Sequence, residues 1–347
     1  MKRIKCFDLL RVFCFLLIIY YHMVAQLPVN GICTYADIWP FVANENIQIG
    51  TFAVAVFFML SGASLMYSTQ GEFKTGKYYL KRYIRLLIPF YVVTFMNYIV
   101  NAVRVRDLAG VYVGGIPVWR WIFTILGMDE WVAMHGIVTF SRGIGEWFLG
   151  ELIILSFLFP LFRWFMIKNQ KAVMLVMTTL YLMIIFNYQS EVLIYMSILV
   201  KGYDFVLGMW LGLNWQKIST KWMYITIPIV LIYLLCPIIL PINEALRILL
   251  FAVAFLISFS CLENHLQDRK LSVINWLSKY SYELFLVHHL VIYALTPHHP
   301  SFIEGINDIL FLFAVELVII FVIAIIAKFV SDKIISVLWR GINLVLN

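Results

Sequence analysis

Charge is what this sequence has least of. Only 13% of its 347 residues are Asp, Glu, Lys or Arg, against roughly 25% in a soluble domain. With 63% hydrophobic residues and a mean hydropathy of +0.90, that scarcity excludes a soluble globular enzyme and a disordered chain. Acidic residues are scarcer than basic ones, 19 against 26. The net charge of +7 could serve a nucleic-acid binder, but the cations sit in short blocks between apolar stretches, as the positive-inside rule requires. No nucleic-acid partner is expected. Cysteine is sparse too: Cys6, Cys14, Cys33, Cys236 and Cys261 show no CxxC spacing, which argues against a zinc ribbon or a disulfide framework. Nothing in the sequence requires a metal, and none is expected. Internal repeats, low-complexity tracts and a soluble domain are also missing.

Long apolar runs are abundant. Counting stretches of about 20 residues predicts an all-α, polytopic helical bundle forming a single membrane domain over residues 1–347. Its spans fall near 7–27, 47–68, 84–103, 145–166, 172–188, 191–213, 222–240, 244–262, 280–296 and 308–328. Lys2, Arg3 and Lys5 ahead of an apolar run resemble a signal peptide. The run, however, is interrupted by Asp8 and Arg11 and lacks a small-x-small cleavage site, so it reads as a retained first span. Lys/Arg bias puts both termini in the cytoplasm of a multi-pass cell-membrane protein. The cluster Lys74, Lys77, Lys81, Arg82 and Arg85 then lies inside. The longest loop, about 104–144, faces outward, with a short interfacial helix near Pro117–Met128. The tail from Ser331 reads as a separate amphipathic helix on the inner surface.

The first span carries three polar groups on one stripe. Arg11 and His22 are eleven residues apart, within ~20° of one azimuth at 3.6 residues per turn, and Asp8 falls within ~60° of Arg11. A charge at this depth costs at least ~2.5 kcal/mol, so such residues face a bundle interior or a polar path. At 1.5 Å per residue, Arg11 sits ~6 Å inside the inner boundary and His22 ~22 Å along, in the outer third of the core. A group passing between the two sides could meet both.

These residues, with several stretches downstream, resemble the membrane acyltransferase family 3. Phe7-Asp8-Leu9-Leu10-Arg11 and the Arg-x10-His spacing to His22 are similar to the family's first helix. Val56-Phe57-Phe58-Met59-Leu60-Ser61-Gly62 resembles its FFxLSG stretch, and Lys81-Arg82-Tyr83-Ile84-Arg85 through Pro89 and Tyr91 its basic inner loop. Trp147-Phe148-Leu149 resembles its tryptophan-led helix, and Ser281-Tyr282-Glu283 through His288 its late SYxxYLxH helix. The match runs in order along nearly the whole chain. It departs where Glu-Glu-Gln often follows the Trp: here Leu152-Ile153-Ile154 follow, with Glu151 one place earlier, and Phe285 stands at a Tyr.

The resemblance implies an acyl-CoA-dependent O-acyltransferase, with acetyl-CoA the expected donor. The implied acceptor is a hydroxyl of a cell-surface or lipid-linked glycan on the outer side, as in exopolysaccharide or lipopolysaccharide O-acetylation. His22 would then be general base or acyl carrier; its bland alternative is a histidine bonded to a neighbouring helix. Arg11, oriented by Asp8, would meet donor phosphates, or the two simply form an i,i+3 ion pair. Lys81, Arg82 and Arg85 would meet coenzyme A from the cytosol, or only set topology. Ser61 and Gly62 would line the donor path or permit close helix packing. Trp147, Glu151, Tyr282 and His288 would line a channel, or serve as anchor and pairing groups. Glu151 has Arg142 or Lys201 as possible partners, and His289 is expected to point away from His288. Lys201 with Asp204, and Glu316, read as structural pairing. A transporter, exporter or non-catalytic accessory protein of surface-polysaccharide synthesis is the alternative, but the inverted repeats and paired broken helices of many transporters are not evident.

Overall fold

The computed structural model describes residues 4–34, 46–105, 116–140, 143–236, 238–261, 263, 272–296 and 306–346. Among them there is no strand. The helices are α1 (Lys5–Val29), α2 (Ile49–Ser68), α3 (Thr75–Val105), α4 (Trp121–Leu126), α5 (Asp129–Ala133) and α6 (Glu146–Asn187). They continue with α7 (Ile198–Asn214), α8 (Met223–Leu235), α9 (Glu244–Ser260), α10 (Ser272–Ser278), α11 (Ser281–Leu295) and α12 (Ile306–Leu346). Five described helices, α1, α2, α3, α6 and α12, are long and apolar enough to cross a membrane. Apolar side chains cover their outer faces: on α12, Phe311, Val318 and Val322 recur at helical spacing and are each more than half exposed, as a lipid-facing stripe requires.

Several boundaries differ from expectation for local reasons. The basic segment around Lys81–Arg85 is no loop; it is the first turns of α3, which begins at Thr75. The apolar count misses it because its charges end the run, yet a helix needs only its propensity and one packed face. α6 runs on past its expected end at 166, but Asn169 breaks it with non-helical angles (φ −157°, ψ 84°). The Asn169 side chain then caps the second half of the helix, its Oδ1 accepting from the Ala172 N–H at 3.1 Å. The expected gap between 166 and 172 is therefore a kink. α7 starts only at Ile198, with Ser197 as N-cap, and α8 ends at Leu235. No break separates tail from span at Ser331, since α12 carries neither proline nor glycine before Gly341.

The chain divides into two compact units. The first comprises Met1–Phe73, Leu158–Ser281 and Ser301–Ile306. Its tightest pair is α2 with α7. A Cβ on Gly62 would lie 2.1 Å from the Phe205 carbonyl oxygen, and one on Gly208 would lie 2.0 Å from that of Met59. Such backbone approach supplies the dispersion contact that replaces the hydrophobic drive lost in lipid. Phe13 of α1, Phe52 of α2 and Phe255 of α9 close the layer, with ring centroids 5.5 and 5.2 Å from Phe255.

The second unit comprises Lys74–Phe157, Tyr282–Pro300 and Asn307–Asn347. A ladder of phenols joins α3 to the start of α6. Tyr78 donates to the Ser156 carbonyl at 2.9 Å, Tyr79 to that of Phe157 at 2.8 Å and Tyr83 to that of Ile153 at 3.3 Å. The ladder has a cause in sequence: Pro160 has no N–H for the Ser156 carbonyl four residues earlier, and Tyr78 supplies the missing donor. Trp131 of α5 lies on Gly150, where a Cβ would come within 2.4 Å of its own Cβ. On α12, Lys328 meets Glu283 at 3.4 Å.

Candidate functional site

In the first unit, α1 is unbroken from Lys5 to Val29, so the stripe read from the sequence exists. His22 stands eleven residues beyond Arg11, about 16 Å along the axis. Asp8 is buried and holds one end of the stripe. Its Oδ1 accepts from Arg11 Nη1 at 3.0 Å and from the Ser278 hydroxyl at 2.9 Å. Arg11 Nη2 donates to the Ser64 hydroxyl. The Arg11 side chain nevertheless keeps 27% of its surface exposed, so the ion pair fixes the guanidinium without enclosing it. His22 is half-buried, with the Tyr21 ring edge-on at 5.3 Å.

Two residues of α2 expected near the donor path part company. Gly62 is committed to backbone packing against α7, whereas Ser61, half-buried, sits one position round the helix. The Ser64 hydroxyl, one turn on, takes an Arg11 bond. Lys201 and Asp204 form a buried pair at 2.8 Å, the pairing expected of them. Arg142, considered as a partner for Glu151, lies outside the described residues.

The second unit sorts the basic cluster. Arg82 is half-buried, and its Nε donates to the Ser156 hydroxyl at 3.0 Å, within the phenol ladder. Lys81 and Arg85 are exposed. Tyr282 donates to the Leu86 carbonyl at 2.6 Å and ties α11 to α3. Glu151 is fully buried, and Trp147 is half-buried at the start of α6.

A cluster that the sequence reading missed lies where α6 begins. Gly143 (φ +85°) and Gly145 (φ +77°) turn the chain sharply, and Glu146 itself adopts φ +44°, a costly conformation for a side-chain-bearing residue. The turn is pinned: the Gly143 N–H donates to Glu130 Oε1 at 2.6 Å. Phe148 packs edge-on to Phe285, centroids 4.7 Å apart, and brings α6 onto α11. Glu146 Oε1 thereby reaches His288 Nε2 at 3.2 Å and also meets His289 Nε2. His289 thus turns to the same carboxylate as His288, contrary to expectation, because Glu146 lies between the two azimuths. His288 Nδ1 donates to the Phe285 carbonyl at 2.6 Å. One carboxylate oxygen and two ring nitrogens, all within 4.8 Å of one another, make a donor set able to hold a metal ion.

Beside this turn, the α4–α5 hairpin buries Asp129, whose Oδ1 accepts from the Thr124 hydroxyl at 3.0 Å. Burial pushes its carboxyl up to about 7, the Thr124 bond opposing and Glu130 adding to the rise.

A family model described as an acyltransferase domain matches residues 4–331. The chain belongs to the acyltransferase 3 family. No curated protein and no solved structure matches it. The protein is therefore a membrane acyltransferase of that family. Its acyltransferase 3 motifs fall on α1, α2, α3, α6 and α11. Glu146 immediately precedes the Trp147 motif, and His289 immediately follows the His288 motif. Their adjacency to motif residues was the one signal available in the sequence, and only the left-handed turn at Glu146 gives it meaning.

Proposed function

We propose that this acyltransferase moves an acyl group, acetyl first among candidates, from acyl-CoA on the cytoplasmic side of the cell membrane to a glycan hydroxyl on the outer side. The acceptor is a cell-surface or lipid-linked sugar. The observation that carries the reading is α1, one unbroken helix with an anchored, accessible guanidinium at one end of a stripe and an imidazole about 16 Å along it. A cation fixed by Asp8 suits the anionic and polar groups of coenzyme A. The exposed Lys81 and Arg85 draw the same anionic donor towards the cytoplasmic surface.

In the transfer, the acceptor oxygen attacks the thioester carbonyl, the C–S bond breaks to release coenzyme A as its thiolate, and the hydroxyl proton leaves. His22 takes that proton, or first accepts the acyl group on its ring and passes it on; imidazole suits both routes near neutral pH. Trp147, Glu151 and His288 are assigned to the acyl or acceptor path. Gly62, Arg82 and Tyr282 are assigned to packing on the contacts described above.

The test is His22→Ala in purified, vesicle-reconstituted protein supplied with radiolabelled acetyl-CoA and the cell's surface glycan. Transfer is expected to fall to background while acetyl-CoA binding persists. Unchanged glycan acylation would remove His22 from the reaction. Label released from the wild-type protein by hydroxylamine would select the acyl-histidine route.

A further inference from the structure

We propose that Glu146, His288 and His289 form a binding site for a divalent transition-metal ion of the zinc class. The inference does not rest on the reading of the reaction. It begins with a tautomer. A backbone carbonyl can only accept, so the 2.6 Å contact from His288 Nδ1 to Phe285 puts the proton on Nδ1. The neutral ring then presents the Nε2 lone pair to Glu146 Oε1, 3.2 Å away. Two electron-pair donors facing each other at that distance need a positive centre between them. A ring nitrogen fixed by a carbonyl on its other side is also how metal-bound histidines are held.

Convergence is the second observation. His289 Nε2 meets the same Oε1 that His288 faces. Three donor atoms pointing at one small volume is the pattern of coordination. Two imidazoles and one carboxylate match zinc and its neighbours better than magnesium or calcium, which take oxygen sets.

Third, the site is built at a cost that binding can offset. Glu146 is held at φ +44° behind two left-handed glycines, and both histidines are buried. Glu130 bonds the Gly143 amide of the same turn and lies within electrostatic reach of Tyr293, whose ring packs on His289 at 4.8 Å. Glu146 and Glu130 together bring two negative charges, which a divalent ion balances. The proposal runs against the expectation that the protein uses no metal.

The experiment uses the full chain with a non-histidine affinity tag, purified in detergent and metal-free buffer, with elemental analysis by mass spectrometry. About one zinc-class ion per chain is expected. Chelation should remove it and lower the melting temperature, and Zn²⁺ should restore both. Adding Co²⁺ to the stripped protein should give visible absorption bands of a low-coordinate site. Glu146→Gln and His289→Gln should weaken metal affinity by roughly tenfold or more. The cobalt titration of the wild-type chain needs no variant and decides the matter even where a substitution prevents folding. Purified protein with under about a tenth of an equivalent, together with no cobalt bands, would overturn the proposal; a proton shared among the three groups gives that result. Cobalt bands unchanged in His288→Ala/His289→Ala would overturn it too. Because every readout is metal content or stability, failure here leaves the acyl-transfer reading standing.

Discussion

Gly62→Ala tests whether the α2–α7 contact is packing or part of the donor path. The added methyl would sit 2.1 Å from the Phe205 carbonyl oxygen and 3.1 Å from the Met209 nitrogen. Ordinary carbon–oxygen contacts begin at about 3.3 Å, so the helices must part by roughly 1.2 Å. The atoms met are backbone, which cannot swing aside. Opposite, the carbonyls of Met59 and Ala63 lie as close to Gly208 and Gly212, so any separation loosens the whole seam. Overpacking of this kind costs about 1–3 kcal/mol, and a gap approaching 1 Å forfeits up to about half of each dispersion well along the seam. Exchanging glycine for alanine in a helix returns about 1 kcal/mol. The net loss is about 2 kcal/mol, on the order of 3 °C in midpoint for a chain of 347 residues, read as the fraction of monodisperse protein after stepwise heating in detergent. Gly76→Ala, at a helical site with nothing within 4 Å, is the control and should match or slightly exceed wild type. A Gly62→Ala protein that melts with wild type yet binds acetyl-CoA poorly would refute the packing argument and return Gly62 to the donor path.

Arg11→Ala and Arg85→Ala should each weaken acetyl-CoA binding by about tenfold in calorimetry, the worth of one charged hydrogen bond, whereas Arg82→Ala should lower thermal stability instead; equal affinity in all three would count against the proposed donor contacts. Asp129 makes stability pH-dependent with a definite sign. Its carboxyl titrates near 7 when folded against an ordinary 3.8, so the folded state keeps a proton the unfolded chain gives up, and stability falls as pH rises from about 4 to 7. Asp129→Asn should flatten that slope and melt higher than wild type at pH 8; a variant that keeps the slope would exclude Asp129 as its source. Lys201→Met alone strands a buried carboxylate and should cost about 3–5 kcal/mol, while Lys201→Met/Asp204→Leu should recover most of it; a double variant as unstable as the single would show that the pair does more than neutralise itself.

Sequence reasoning reached furthest where a single element suffices. The runs at 7–27 and 47–68 correspond to Lys5–Val29 and Ile49–Ser68, because lipid demands length and apolarity and both are written locally. The Arg11–His22 alignment needed only the helical pitch. It fell short where partners are distant in the chain. Ser278 on Asp8, 270 residues away, and Tyr282 on Leu86, 196 away, leave no periodicity to read. Glu146 was invisible for another reason: its importance follows from a left-handed backbone angle, which an acidic residue does not advertise. Arg82 looked like Arg85 in composition, and its bond to the Ser156 hydroxyl, distant in the chain, marks a packed guanidinium beside an exposed one.

The unbroken α12 has a mechanical consequence. Its 41 residues extend about 60 Å, twice the thickness of a hydrocarbon core. At the tilts of roughly 0–40° that transmembrane helices adopt, a long stretch stands outside the lipid as a stiff spar with no joint at the membrane boundary. A force applied beyond Lys333 is delivered along that spar to Lys328, and through it to Glu283 at the foot of α11, the helix that carries both cluster histidines. Bending or clamping the exposed end is therefore a handle on α11 that needs no ligand to enter the membrane.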